Sequence, residues 1–276
     1  MKIIIMVSFL LFTSSVFSQV KFGKETDYKN FMQSKTMVVL GNSPFSSYNE
    51  YIQNSIDKLW KITAYDFISS KEFNNKKNNT TFSFLMLSDA SIEYKDVVTH
   101  YNMLNLIMGG KSKTLNDMPD LGSIPLSYSD QDESEYLYKI GGILQFMQYF
   151  IQFNLNHPNT DLIKLIRNIE AKIGNKEIWL LKDEVNEEVN TNEKIKKYYS
   201  GIVKFVSKEA IEEAIEKKDE NIVFLHKIGM NSKGKICWKA LINAGNGELL
   251  YFDQYKIDTK HPDSFTSSDF GKLKSK

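Results

Sequence analysis

One cysteine, Cys237, stands in 276 residues. That excludes an intramolecular disulfide and any cysteine-built metal cluster. There is also one arginine, Arg167. Bidentate recognition of phosphate and carboxylate draws on arginine, so that chemistry is poorly supplied. Four histidines (His100, His157, His226, His261) are scattered with no two at ligand spacing, and a zinc site would have to be assembled from distant positions. G-x-S-x-G, H-E-x-x-H, G-x-G-x-x-G and G-x-x-x-x-G-K-[ST] are all absent. An excess of either charge is lacking too, with 35 Lys and Arg against 34 Asp and Glu. A nucleic-acid surface needs a basic excess gathered on one face, so no nucleic-acid partner is expected. These absences assign no catalytic residue, no metal ligand and no cofactor.

What is present begins with an export signal. Residues 1–18, MKIIIMVSFLLFTSSVFS, combine Lys2, an apolar run over 3–12 and small residues at Val16 and Ser18. That pattern predicts cleavage between Ser18 and Gln19. The run is short for a membrane anchor. No cysteine lies at the cut, so the lipoprotein route is closed. The expected location is periplasmic or extracellular, without a lipid anchor. An exported chain without disulfides suits a bacterial envelope, and a core this size needs no covalent staples.

Residues 134–155, SEYLYKIGGILQFMQYFIQFNL, predict a long central helix. Its polar or small residues (Ser134, Tyr138, Gly141, Gln145, Gln148, Gln152) recur every three or four positions as one narrow stripe, continued by Asn156. The rest of its surface is apolar, and such a helix is buried on most sides. If the stripe faces water, Gln148 is a cheap residue to lose. Lys139, the glutamines and the Gly141-Gly142 pair interrupt the segment, and acidic Glu133 and Glu135 precede it. A core helix therefore fits better than a membrane span.

The same element order is read on both sides of this helix. Strand 37–40, helix 48–60, strand 62–68, a capping box at Ser69 with Glu72, and strand 82–87 make the first set. Strand 178–181, helix 190–199 opened by Asn190-x-x-Glu193, strand 202–206, a cap at Ser207 and strand 222–225 make the second. The windows 37–87 and 178–228 are each 51 residues long, and AYDFISSKEF falls where IVKFVSKEAI does. Order, length and serine cap together indicate a duplication. The first half continues through 101–108, a Gly/Pro/Asp-rich loop over 109–123 and a strand at 124–128. The second closes in a hairpin, KICWKALIN and ELLYFDQYKI, around Ala244-Gly245-Asn246-Gly247, where Asn-Gly favours a tight turn. Each half ends in a helix, the central one and a short one over 268–273. A connecting amphipathic helix is expected over 161–173.

The predicted fold class is thus α/β (or α+β): two similar strand-helix-strand-helix-strand halves with mixed sheets, joined by the long buried central helix. The boundaries are 1–18 signal peptide, 19–157 first half and 158–276 second half. In element order each half resembles the amino-terminal domain of the Tol-system translocation protein. The SVFSQ ending, the lysine bias and KITAYDFISSKEF…FSFLML look similar to exported two-repeat α/β proteins of Bacteroidota-type bacteria. That resemblance implies export and a place in the envelope, and it brings no catalytic residue with it.

The remaining features have ordinary readings. His226, ending a strand, is expected to be a satisfied structural histidine. Gly41-Asn42-Ser43 leads from a strand into a helix, where anions bind helix amides; a turn capped by Ser46 or Ser47 explains it equally. Cys237 shares a sheet face with Lys239 and Leu241, and no base is visible beside it, so it reads as a core thiol. The acidic run 183–188, DEVNEE, reads as a solvated loop. The 18 Phe, 14 Tyr and 3 Trp fall mostly at buried periodicities. The function expected is that of an exported, soluble, non-catalytic envelope protein binding an unidentified protein or small-molecule partner, between its halves. The alternative is a hydrolase whose site is assembled from residues distant in sequence.

Overall fold

The computed structural model describes residues 23–43, 45–94, 97–112, 114–157, 173–228 and 235–273. The signal segment with Ser18 and Gln19, Arg167, and all but Ile173 of the expected connecting helix lie outside them. In the first half the elements are α1 (Glu25–Gln33), β1 (Lys35–Val39), α2 (Tyr48–Leu59), β2 (Tyr65–Ile68) and α3 (Ser70–Lys76). Then come β3 (Phe82–Tyr94), β4 (Val97–Met108), β5 (Ile124–Tyr128) and α4 (Ile140–Asn156). The second half contains β6 (Glu177–Leu180), α5 (Asn192–Ile195), β7 (Val203–Phe205) and α6 (Lys208–Glu216). It ends with β8 (Ile222–Ile228), β9 (Ile236–Asn243), β10 (Leu249–Lys256) and α7 (Ser267–Lys272).

The two sheets have one topology. The orders are β2-β1-β3-β4-β5 and β7-β6-β8-β9-β10. In each, the first three strands are parallel and the last two antiparallel. The main-chain bonds repeat as well. Lys35 N donates to Thr81 O and Thr36 N to Ala64 O; Glu177 N donates to Asn221 O and Ile178 N to Ile202 O. Ala64 therefore corresponds to Ile202, and Ser69 to Ser207, each capping its helix through its hydroxyl. Thr36, rather than Met37, corresponds to Ile178, because the connections within the halves differ in length.

Within a half, chain passage from β1 out to β2 and back across β1 to β3 puts successive crossover helices on opposite faces, as right-handed crossovers require. Ile52 and Ile56 of α2 join one core, with Val38 and Leu85. Phe73 of α3 joins another, with Met37 and Phe84. The second sheet is arranged alike: α5 and α7 cover one face with Val223 and Leu225, and α6 covers the other with Ile222 and Phe224. The face bearing α2 and α4 meets the face bearing α6. The halves therefore stack front to back, with α1, α2, α4 and α6 as a shared middle layer.

The central helix differs from its expected form. Two 3-10 turns, Glu133–Glu135 and Leu137–Lys139, precede an α-helix that starts at Ile140. Asp132 caps the first turn through Ser134 N, and Tyr136 leaves helical geometry. The polar stripe is not a solvent face. Gln145 donates to Ala244 O at 2.9 Å and Ile215 O at 3.3 Å, and Gln148 donates to Leu59 O while accepting from Lys61 N. A Cβ on Gly141 would lie 2.7 Å from Leu59, and one on Gly142 would lie 2.5 Å from Phe224. Its middle is where both halves approach the helix; Ser134 at one end and Gln152 and Asn156 at the other are exposed.

Other boundaries shift too. β3 runs on to Tyr94 and β4 begins at Val97, the two pairing antiparallel, where alternate polar residues obscured the strands. Thr191, not Asn190, caps α5. No helix among the described residues is long and apolar enough to cross a membrane.

Candidate ligand site between the halves

A cavity of about 350 Å³ lies between the halves. Its floor is the middle-layer face of the second sheet: His226 and Ile228 of β8, Trp238 and Ala240 of β9, Phe252 and Gln254 of β10. Alternation along these strands puts these side chains on one face and Cys237 and Lys239 on the other. Phe146 and Phe150 of α4 face the floor, and Tyr28 with the 120–125 segment close the side. The cavity exists because α6 covers the β6–β8 part of this face, which leaves β9 and β10 to α4 and the loop before β5. Ala240, the small residue in the floor, leaves room there.

Five polar residues, Tyr28, Asp120, Ser123, His226 and Gln254, enter this otherwise apolar wall. Asp120 Oδ1 accepts from Gly122 N and from Ser123 Oγ, both at 2.9 Å. Burial raises the Asp120 carboxyl above its ordinary range, and those hydrogen bonds oppose the shift. Burial, and then the neighbouring charge of Asp120, raise the Tyr28 hydroxyl. His226 is 5% exposed, and its Nε2 lies 2.9 Å from Pro125 O. A carbonyl can only accept, so Nε2 carries the proton and Nδ1 is a bare acceptor. Nδ1 is buried and has no hydrogen-bond partner. Burial, followed by the charge of Lys139, lowers the His226 pKa to about 3. The imidazole is neutral.

Ser123, His226 and Asp120 thus share one cavity, a grouping hidden in the sequence because 103 residues separate Ser123 from His226. They are not wired as a catalytic triad. There the histidine stands between serine and carboxylate; here Ser123 donates directly to Asp120, and the histidine proton goes to the main chain.

The other candidates fall elsewhere. Cys237 is buried on the opposite face of the sheet, and burial pushes its thiol up to about 12. That is the inert core thiol expected from sequence. Around it, cross-strand neighbours Lys227 and Lys239 are buried ions. Lys239 Nζ lies 2.5 Å from Asp269, Lys227 Nζ lies 2.8 Å from Asp263, and Tyr251 also donates to Asp269. These pairs hold α7 and the segment before it on the sheet. His100 meets Ser91, His157 stacks on Phe153, and His261 meets Asp258, so no two histidines come together. Among the described residues no group of three or more His, Cys, Asp or Glu could hold a metal.

At Gly41-Asn42-Ser43 a second hollow of about 380 Å³ opens past the end of β1, beside Met86 and Leu87 in the middle of β3. The helix amides there already have an anion. Glu133 accepts from Ser47 N at 2.7 Å and from Ser46 Oγ at 2.6 Å. Ser46 Oγ also accepts from Tyr48 N at 3.2 Å, at the start of α2, while Ser47 makes no side-chain cap. The 183–188 run is likewise not a purely solvated loop. Glu184 pairs with buried Lys139 at 2.7 Å, and Glu188 accepts from Ser267 N and Oγ.

Fold and cavity together define a class: a tandem α/β protein with an apolar chamber between two stacked repeats. No protein-family model, curated protein or solved structure matches the chain.

Proposed function

We propose that this is an exported, soluble, non-catalytic protein of a bacterial cell envelope that binds a small, mostly apolar ligand between its halves. The observation that carries the ligand reading is the 350 Å³ chamber walled by both halves. Its volume falls in the range of about 300–1,000 Å³ typical of small-molecule sites, and its apolar walls with a few polar groups fit the same pattern. Export rests on residues 1–18 and on the resemblance to exported two-repeat proteins of Bacteroidota-type bacteria. The mature chain starts at Gln19, carries no lipid, and works in the periplasm or outside the cell.

A fluorescent apolar probe should bind the purified protein, and Ala240→Phe, which fills the chamber, should abolish binding while the circular dichroism spectrum is kept. Undiminished binding by the filled variant would place the ligand elsewhere. Mass spectrometry of protein from an exporting host should find an unacylated amino terminus at Gln19; a retained Met1 or an acylated terminus would refute the export reading. Screening against ester, peptide, phosphate and glycoside substrates should give no turnover. Turnover lost in a folded Ser123→Ala or His226→Ala variant would establish the hydrolase instead.

A further inference from the structure

The chamber is walled by aromatic rings from both halves. Phe146 and Phe150 of α4 pack with ring centroids 6.0 Å apart, and Trp238 and Phe252 in the floor with centroids 5.7 Å apart. Into the same wall comes one carboxyl group, Asp120, which is 7% exposed. Gly122 N and Ser123 Oγ both donate to its Oδ1. Oδ2 receives neither bond, yet it is not among the unpartnered atoms closed off from solvent. Two rings stand beside this group. A Cβ on Gly122, whose amide holds Oδ1, would lie 3.4 Å from the Phe150 ring. A Cβ on Gly23 would lie 3.0 Å from Asp120 O and 3.6 Å from the Tyr28 ring. After burial, the Asp120 charge is what raises the Tyr28 hydroxyl.

Charge then separates the ligand classes. No lysine or arginine is among the described residues that line the chamber. Burial raises the Asp120 carboxyl, and hydrogen bonds alone oppose the shift, with no cation contributing. Lys139, whose charge acts on His226, is already paired with Glu184 at 2.7 Å. A carboxylate taken out of water without a cation is costly, and a ligand that brings the cation removes that cost. The attraction is strong in so apolar a site. Ring faces attract the same charge, that of tryptophan most. A neutral ligand would leave the carboxylate alone, and an anion would be repelled by it.

We propose that the chamber takes a small organic cation, an amine or quaternary ammonium bearing apolar groups. Its charged end sits by Asp120, Tyr28 and Phe150, and its hydrocarbon part lies against Phe146, Trp238 and Phe252. The assignment rests on the reading of this chamber as the ligand site. It makes Asp120 the residue that determines specificity for charge.

The experiment measures, by calorimetry, binding of three probes of similar size to the purified protein. They are benzyltrimethylammonium, its uncharged carbon isostere neopentylbenzene, and 3-phenylpropanoate. The cation is expected to bind about tenfold more tightly than its isostere, and the anion most weakly. Asp120→Asn keeps an oxygen for Gly122 N and Ser123 Oγ, so the loop is retained while the charge is lost. In that variant the cation should bind about tenfold more weakly and the isostere as before. Equal or tighter binding of the isostere, preference for 3-phenylpropanoate, or an undiminished cation preference in Asp120→Asn each overturns the assignment and leaves the ligand site standing. Binding of none of the three, or cation binding that persists in the filled Ala240→Phe variant, removes the ligand-site reading as well. Should Asp120→Asn fail to fold, the cation-to-isostere ratio in the unaltered protein still decides.

Discussion

Lys139 and Glu184 lie 2.7 Å apart with side chains 3% and 13% exposed. A buried pair of this kind need not stabilise relative to apolar residues, but losing one partner leaves an uncompensated charge. Glu184→Gln should therefore cost about 3–5 kcal/mol in urea unfolding, and the double replacement by methionines should cost clearly less. His226 makes a second prediction at this scale. Its folded pKa is about 3, lowered by burial and then by Lys139, against about 6.5 when unfolded. The folded-state pKa is depressed, so acid protonates the unfolded chain first, and stability is lost as pH falls below about 6.5. Between about pH 7 and about pH 5 this one residue should remove about 2 kcal/mol. His226→Phe should lose less stability over the same interval than the unaltered protein does. Parallel losses in the two proteins would show that other groups set the acid sensitivity.

The element that everything else packs on is α4. Its first turn contains Gly141 and Gly142, where alanine would gain about 1 kcal/mol of helix propensity on an isolated helix. The contacts decide otherwise, since each new Cβ would meet Leu59 or Phe224 well inside contact distance. Both glycine-to-alanine changes should destabilise, by about 1–3 kcal/mol, as overpacking does. Met147→Ala should cost about 2–5 kcal/mol, because Met147 is 1% exposed. Gln148→Ala should cost about 1–3 kcal/mol by stranding Leu59 O and Lys61 N, which are its partners. A cost near zero at Gln148 would mean that water replaces the glutamine freely. Phe150 is half-buried at the chamber wall, so its truncation should cost less than that of Met147 and change ligand affinity more.

At the scale of the molecule, front-to-back stacking has a consequence for cooperativity. One core combines Leu85, Leu104 and Ile56 of the first half with Phe224, Ile242 and Ile215 of the second. Neither half can keep its face of that core without the other. Urea unfolding should therefore be a single transition, coincident by far-ultraviolet circular dichroism and by tryptophan fluorescence. Trp60 reports on the first half, and Trp179 and Trp238 report on the second. Removing Trp60 by Trp60→Phe should leave the fluorescence midpoint coincident with that from circular dichroism measured on the same variant. Two separated midpoints would show that the halves unfold independently. Residues 158–276 expressed alone should fail to give dispersed amide resonances.

What the sequence determined by itself was local and periodic. The serine caps at Ser69 and Ser207, the Asn-Gly turn of the last hairpin, the buried alternation at Cys237 and the repeated order of elements were all legible, because each is written in residues a few positions apart. Tertiary structure alone decided the rest. Which face of each sheet meets the other half depends on the hand of the crossovers and on α4, and no local pattern encodes that choice. The glutamines of α4 read as a solvent stripe because polarity along a helix cannot tell water from a facing main-chain carbonyl. The Gly41 turn gave no sign that Glu133, 92 residues later, would supply its anion. His226, Asp120, Ser123 and Ala240 came together only when β8 and β9 were laid against the loop before β5. A cavity is bounded by surfaces from different elements, and it exists only once they are packed.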